Sequence, residues 1–157
     1  MTVFISHKKT DREIALQVLK ILESDGIKCY FDELDKELRN EENITKLLMQ
    51  RVKECTHLLA VVSGNTVYSW WVPFEIGVAS NSDRRISTYV SSYTTLPEYL
   101  KIWPVMTKLE QMKYYIQYYK QDKEILLEKR AFSEANTAPI KSANDFHRLL
   151  KTRIGVI

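Results

Sequence analysis

Short apolar runs alternate with amphipathic stretches along most of this chain, and the two periodicities separate strands from helices. Val3, Phe4 and Ile5 form the first run, which ends on polar Ser6 and His7. Thr10 and Glu13 then stand at the spacing of a capping box, and Ile14, Ala15, Val18, Leu19 and Leu22 follow at helical intervals. This predicts a helix beginning near residue 10, stopped by Asp25 and Gly26 before residues 27–31 resume as a strand. Ile44, Leu47, Leu48, Val52 and Cys55 mark one face of a second helix. Residues 57–62 are nearly unbroken apolar sequence, as a central parallel strand covered on both sides requires. A third helix is expected over about residues 69–80, with Pro73 tolerated in its first turn, and a fourth strand over residues 85–90.

Further on, the pattern predicts a short helix over residues 97–103, a brief edge strand at Val105 and Met106, and a long helix over residues 109–130 rich in Tyr, Lys and Glu. Residues 131–142 read as a loop before a last helix bearing Phe146, Leu149 and Leu150. Strands that alternate with helices in this way favour an α/β fold with an open parallel sheet, and such sheets bind ligands beyond the C-terminal ends of their strands. The loops after Ser6, Phe31, Ser63 and Val90 are therefore where chemistry is expected.

Composition narrows the field. A chain of 157 residues is about one domain long, and its apolar runs are too short to cross a bilayer. It opens on a strand without a secretory signal, so a cytoplasmic location with no membrane partner is expected. Cys29 and Cys55 sit among apolar neighbours and read as buried free thiols. The formal charge of +3 is spread along the helices rather than gathered in a block, which gives no support to a nucleic-acid partner. His7, His57 and His147 do not make a zinc pattern with the two cysteines, so no metal is expected. The four glycines are unclustered, and the sequence lacks both the dinucleotide-cofactor fingerprint and a P-loop. A phosphorelay receiver would need an acid at the end of the third strand, where Val62, Ser63 and Gly64 stand instead.

Glu75 is the first candidate for chemistry, because it shares a helical face with Trp71, Phe74, Val78 and Ala79. Burying an unpaired charge is costly, so a carboxylate there must pair with a donor, sit at the rim or line a ligand cleft. A structural ion pair and a catalytic acid both meet that requirement. Ser6, His7, Lys8 and Lys9 lead into the first helix, whose amino end attracts phosphate; a solvated basic loop is the alternative. Phe31 and Asp32, followed by Glu33 and Asp35, bring acids to the same edge, where they could equally neutralise Lys8 and Lys9.

Three segments taken together resemble the TIR family. Val3 to Ser6 with His7, Lys8, Lys9, Thr10 and Asp11 resembles its first strand, and Gly26, Ile27, Lys28, Cys29, Tyr30, Phe31 and Asp32 resemble the second strand entering the BB loop. Val61, Val62 and Ser63, followed by Trp71, Val72, Pro73, Phe74 and Glu75, resemble the third strand and the W-x-x-x-E helix. The likeness covers about residues 1–107 of a single domain spanning 1–157, with the helical part from about 108 matched only as generic helix. It implies a flavodoxin-like sheet in the order 2-1-3-4-5, with helices on both faces and extra C-terminal helices.

For function, the resemblance implies an NAD hydrolase or ADP-ribosyl cyclase of bacterial type that makes an ADP-ribose-derived signal in Thoeris-like antiviral defence. NAD is then a consumed substrate, and no further cofactor is implied. Glu75 maps onto the catalytic glutamate, Trp71 would shape the pocket, and Ser6, His7, Lys8 and Lys9 would meet phosphates or ribose, with Phe31 and Asp32 bordering the base. The BB loop departs from the family pattern, since residues 35–40 hold neither glycine nor proline. Self-association or pairing with other TIR domains is also implied. A non-catalytic adaptor is the competing class, and a nucleoside or nucleotide-sugar hydrolase is a third. The long helix is expected to pack through Ile116 and Tyr119 and to leave Tyr114, Tyr115 and Tyr118 for a partner.

Overall fold

The computed structural model describes residues 1–31, 44–66, 69–91, 95–131 and 142–155, with the backbone alone over 125–131. Asp32, the acids after it, residues 35–40 and nearly all of the expected loop at 131–142 lie outside the described residues.

Strands β1 (Val3–His7), β2 (Cys29–Phe31), β3 (His57–Val62), β4 (Arg85–Val90) and β5 (Val105–Met106) form one sheet in the order β2-β1-β3-β4-β5, with every pairing parallel. This is the flavodoxin-like order expected from the sequence. The helices are α1 (Arg12–Ser24), α2 (Ile44–Glu54), α3 (Trp71–Ser80), α4 (Glu98–Lys101), α5 (Met112–Ala131) and α6 (Ala143–Ile154). Alternation along each strand supplies two cores. Val3 and Ile5 of β1, with Leu59 and Val61 of β3, pack against α1, α5 and α6 on one face. Phe4 of β1, with Leu58, Ala60 and Val62 of β3, packs against α2, α3 and α4 on the other.

Helix α1 ends where Asp25 and Gly26 require it to. Gly26 takes φ +73, the Gly26 amide donates to the Glu23 carbonyl at 2.9 Å, and the Ile27 amide donates to Leu22 at 3.0 Å. That pair of bonds is a Schellman motif, and a side chain at the left-handed position would strain it. The start of α1 differs from expectation. Thr10 and Glu13 form no capping box: residues Lys9–Asp11 make a single 3-10 turn, and Asp11 precedes the first helical residue without capping it through its side chain.

The C-terminal helices belong to the first core. Ile116 and Tyr119 of α5 are buried as expected, but Tyr115 is fully buried beside them and is therefore not left for a partner. Tyr114 and Tyr118 are half-buried, and the Arg153 guanidinium of α6 lies 4.8 Å from the Tyr114 ring. The 3.6-residue period places positions 115, 116 and 119 on one stripe, and 114 and 118 beside it.

Candidate active site

Period-two alternation along β1 divides residues that the sequence groups together. Ser6 follows Phe4 onto the face covered by α3, where it is fully buried and its hydroxyl donates to Glu75 Oε2. His7 follows Val3 and Ile5 onto the opposite face and packs against the Phe31 ring at the end of β2, with 4.4 Å between centroids. Helix α3 thus reaches the C-terminal edge of the sheet at Glu75.

Glu75 is 2% exposed. Its burial follows from the way α3 sits on β1, β3 and β4: Val72, Glu75, Ile76 and Ala79, at i, i+3, i+4 and i+7, are the buried positions. The face expected from sequence is rotated from this. Of its apolar members only Ala79 is buried, Phe74 and Val78 are half-buried, and Trp71 is 50% exposed. Apolar residues surround almost the whole of α3, so periodicity alone did not select its inner face. Packing against the sheet did. Trp71 stands at the rim, edge-on to Phe74 with 6.0 Å between ring centroids, next to Trp70, which is 90% exposed.

A second buried carboxylate, Asp11, stands at the start of α1, where the sequence marks it only as the end of the first-strand motif. Asp11, 1% exposed, accepts the Ser63 and Thr66 hydroxyls, each at 2.6 Å. The Ser63 amide donates to Thr66 Oγ1 at 2.9 Å and the Asn65 amide to Ser63 Oγ at 3.0 Å. Lys8 Nζ donates to the Asn65 carbonyl at 2.9 Å. The loops that leave β1 and β3 are joined by these bonds. Hydroxyl residues at the first and fourth positions after a buried strand, Ser63 and Thr66, were the available signal, since such groups need an acceptor once they are out of water. Lys9 is exposed on the 3-10 turn. Ser6, Glu75, Lys8, Asp11 and Ser63 all lie at this end of the sheet, whereas Asp32 lies outside the described residues.

The depressed histidines lie away from this edge. At the starts of β3 and β4, Arg85 pairs with buried Asp122 of α5, Nε lying 2.8 Å from Oδ2 and Nη2 donating to Oδ1 at 3.1 Å. His57 Nε2 is 3.6 Å from the same carboxylate, but burial, with Arg85 alongside, holds the imidazole well below its ordinary pKa. The contact is therefore not an ion pair at neutral pH, and Arg85 is the cation that Asp122 faces. The Ile86 amide donates to His147 Nε2 at 2.8 Å, which requires that nitrogen unprotonated, and burial lowers the His147 pKa to about 4. Burial pushes the Cys29 thiol up to about 12 and Cys55 up to about 11, so neither is a thiolate nucleophile at neutral pH. Both cysteines are free, Cys55 buried and Cys29 half-buried. Among the described residues, no cluster of His, Cys, Asp and Glu could hold a metal ion, and no helix is long and apolar enough to cross a membrane.

The comparisons with known proteins agree with this architecture. Residues 3–127 match the family described as the TIR domain. A curated relative, the probable 3' cyclic ADP-D-ribose synthase ThsB' of Bacillus cereus (strain MSX-D12), is 26% identical over 117 residues. That alignment takes in 68% of this chain and 60% of the relative, so the chain spans about three fifths of that protein's length. Among solved structures, the TIR domain of a Toll-related receptor from Hydra magnipapillata superimposes with a TM-score of 0.60 at 16% identity, covering 78% of this chain and 96% of its own. A CMP N-glycosidase from Clostridium botulinum gives a TM-score of 0.52 at 18% identity, covering 76% and 99%. At these identities the two structures establish likeness of fold.

Proposed function

Because the chain belongs to the TIR domain family, we propose that it cleaves the nicotinamide–ribose bond of NAD, with Glu75 as the catalytic carboxylate. The observation that carries this reading is a buried acid at the C-terminal edge of a parallel sheet, held by the Ser6 hydroxyl. Heterolysis of the bond sends its electron pair to the pyridinium nitrogen, which leaves as neutral nicotinamide. The ribose carbon becomes oxocarbenium-like, and a carboxylate fixed beside it stabilises that charge. Capture by water yields ADP-ribose; capture by a hydroxyl of the same molecule yields a cyclic product. The name of the Bacillus cereus relative supports the cyclic outcome, and such a product would serve as a diffusible signal in antiviral defence. Lys8 and Lys9 are the cations assigned to the diphosphate, Trp71 and Phe31 are assigned to the borders of the aromatic groups, and His7 is assigned to the phosphates or ribose. NAD is consumed as substrate, and no additional cofactor is invoked.

An adaptor without catalysis is the competing reading. Its surfaces would lie on helix faces, and it would not require an acid buried at the sheet edge. Incubation of concentrated protein with NAD, with products identified by mass spectrometry and CMP as a parallel substrate, separates the possibilities. Nicotinamide with ADP-ribose or its cyclic form is the expected result. Folded protein that releases no nicotinamide at any concentration would remove the NAD reading, and cleavage of CMP alone would move the activity to another N-glycoside.

A further inference from the structure

We infer that Asp11 is a positioning residue for the substrate's phosphates, an inference that rests on the NAD reading above. A carboxylate taken out of water needs donors, and Asp11 receives one on each oxygen, from Ser63 and Thr66. Those two residues are also held through their backbone neighbours, since Ser63 N–H donates to Thr66 and Asn65 N–H donates to Ser63. The turn over residues 63–66 is therefore folded around the Asp11 carboxylate, with the Thr66 amide closing it onto the Ser63 carbonyl at 3.0 Å.

One carbonyl of this turn points outward to a cation. Asn65 C=O accepts Lys8 Nζ, and Lys8 itself leaves β1 two residues after Ser6, the donor to Glu75. A lysine side chain has four rotatable bonds and loses rotamer entropy wherever it is held. A carbonyl at a fixed place holds the ammonium near the sheet edge while leaving it two further donor protons for an anion. The chain of bonds runs Asp11 to Ser63 and Thr66, to Asn65, to Lys8. Asp11 touches no part of the reacting bond. Its effect on catalysis passes through the position of one ammonium group.

The experiment is a pair of kinetic series on the full chain with NAD. Asp11→Asn presents an amide N–H₂ to one of the two hydroxyls that now donate to it, so the turn loosens; KM should rise about tenfold with kcat within about threefold, the signature of a contact shared by ground and transition states. Lys8→Ala should do the same. The double variant should be no worse than Lys8→Ala alone, because both substitutions remove one ammonium contact. Thr66→Val, close in shape and less disruptive to the fold, should raise KM by a smaller factor and give the same non-additivity with Lys8→Ala. Inorganic pyrophosphate, as competitive inhibitor, should lose affinity in parallel with KM. Additive effects of Asp11→Asn and Lys8→Ala, or a lowered melting temperature with unchanged KM for both Asp11→Asn and Thr66→Val, would overturn the inference. Should the wild-type protein turn over no NAD, the functional reading falls. Calorimetric pyrophosphate binding then decides the positioning claim by itself, loss in Asp11→Asn and Thr66→Val sustaining it and unchanged binding sinking it.

Discussion

Glu75 sits where chemistry and stability make opposite predictions, and the charge alone separates them. Glu75→Gln keeps an oxygen able to accept the Ser6 hydroxyl and nearly the same volume, so the fold should survive with little loss. Turnover of NAD should fall about a thousandfold, the scale seen when a fixed transition-state electrostatic contact is removed. If Glu75 were instead the anion of a buried ion pair, removing its charge would strand the cation, cost about 3 to 5 kcal/mol of stability and leave turnover intact. Melting curves and NAD turnover measured side by side tell these apart. Ser6→Ala is the companion test. It deprives buried Glu75 of a donor without touching its charge, so kcat should drop about tenfold while the acidic residue is still present. An unchanged kcat in Ser6→Ala would show that the hydroxyl does not orient the carboxylate.

Helices α5 and α6 carry two predictions at the level of elements. The Tyr115 hydroxyl of α5 is buried without a hydrogen-bond partner among the described residues, and the ring packs edge-on against Phe146 of α6 with 5.9 Å between centroids. Tyr115→Phe keeps that packing and removes the unsatisfied group, so stability should rise by about 1 kcal/mol. A fall in melting temperature would reveal a partner for the hydroxyl. The second prediction concerns acid. His57 and His147 are depressed below their ordinary value of 6.5 in the folded protein, His147 to about 4, so between those values the unfolded chain binds protons that the folded chain refuses. Stability from these groups is complete above about pH 6.5 and is lost as pH falls toward 4, at up to about 1.4 kcal/mol per pH unit for each. Denaturant midpoints between pH 7.5 and 4.5 should show this slope, and His147→Gln should flatten it. A midpoint that does not change over that range would contradict the buried, neutral imidazoles.

At the scale of the whole molecule, the most exposed apolar pair among the described residues is Trp70 and Trp71 at the amino end of α3, 90% and 50% exposed beside the proposed site. Tryptophan is enriched where a surface is later covered, by ligand or by another chain. If self-association completes the pocket, activity per molecule should rise with protein concentration in step with sedimentation coefficient, and Trp70→Ala should weaken both. A monomer at every concentration with full activity would remove the assembly proposal and leave the tryptophans to the substrate.

Much of the architecture was legible in the chain itself. The nearly unbroken apolar run at His57–Val62 read as a strand covered on both faces, and Asp25 with Gly26 marked the end of α1, because backbone conformation and local burial leave their signature in neighbouring residues. Glu75 was legible too, as an acid among apolar positions. What the sequence could not decide were the relations that span distant parts of the chain. The inner face of α3 was set by the sheet beneath it, since a helix apolar nearly all round carries no phase. Ser6 and His7 were parted onto opposite faces by the pleat, and Tyr115 was taken into the core by α6. Asp11 and Thr66, 55 positions apart, met only through folding. Hydrogen bonds between distant residues impose no period on sequence, so the sequence specified the elements, and the tertiary structure decided which of their side chains would share one site.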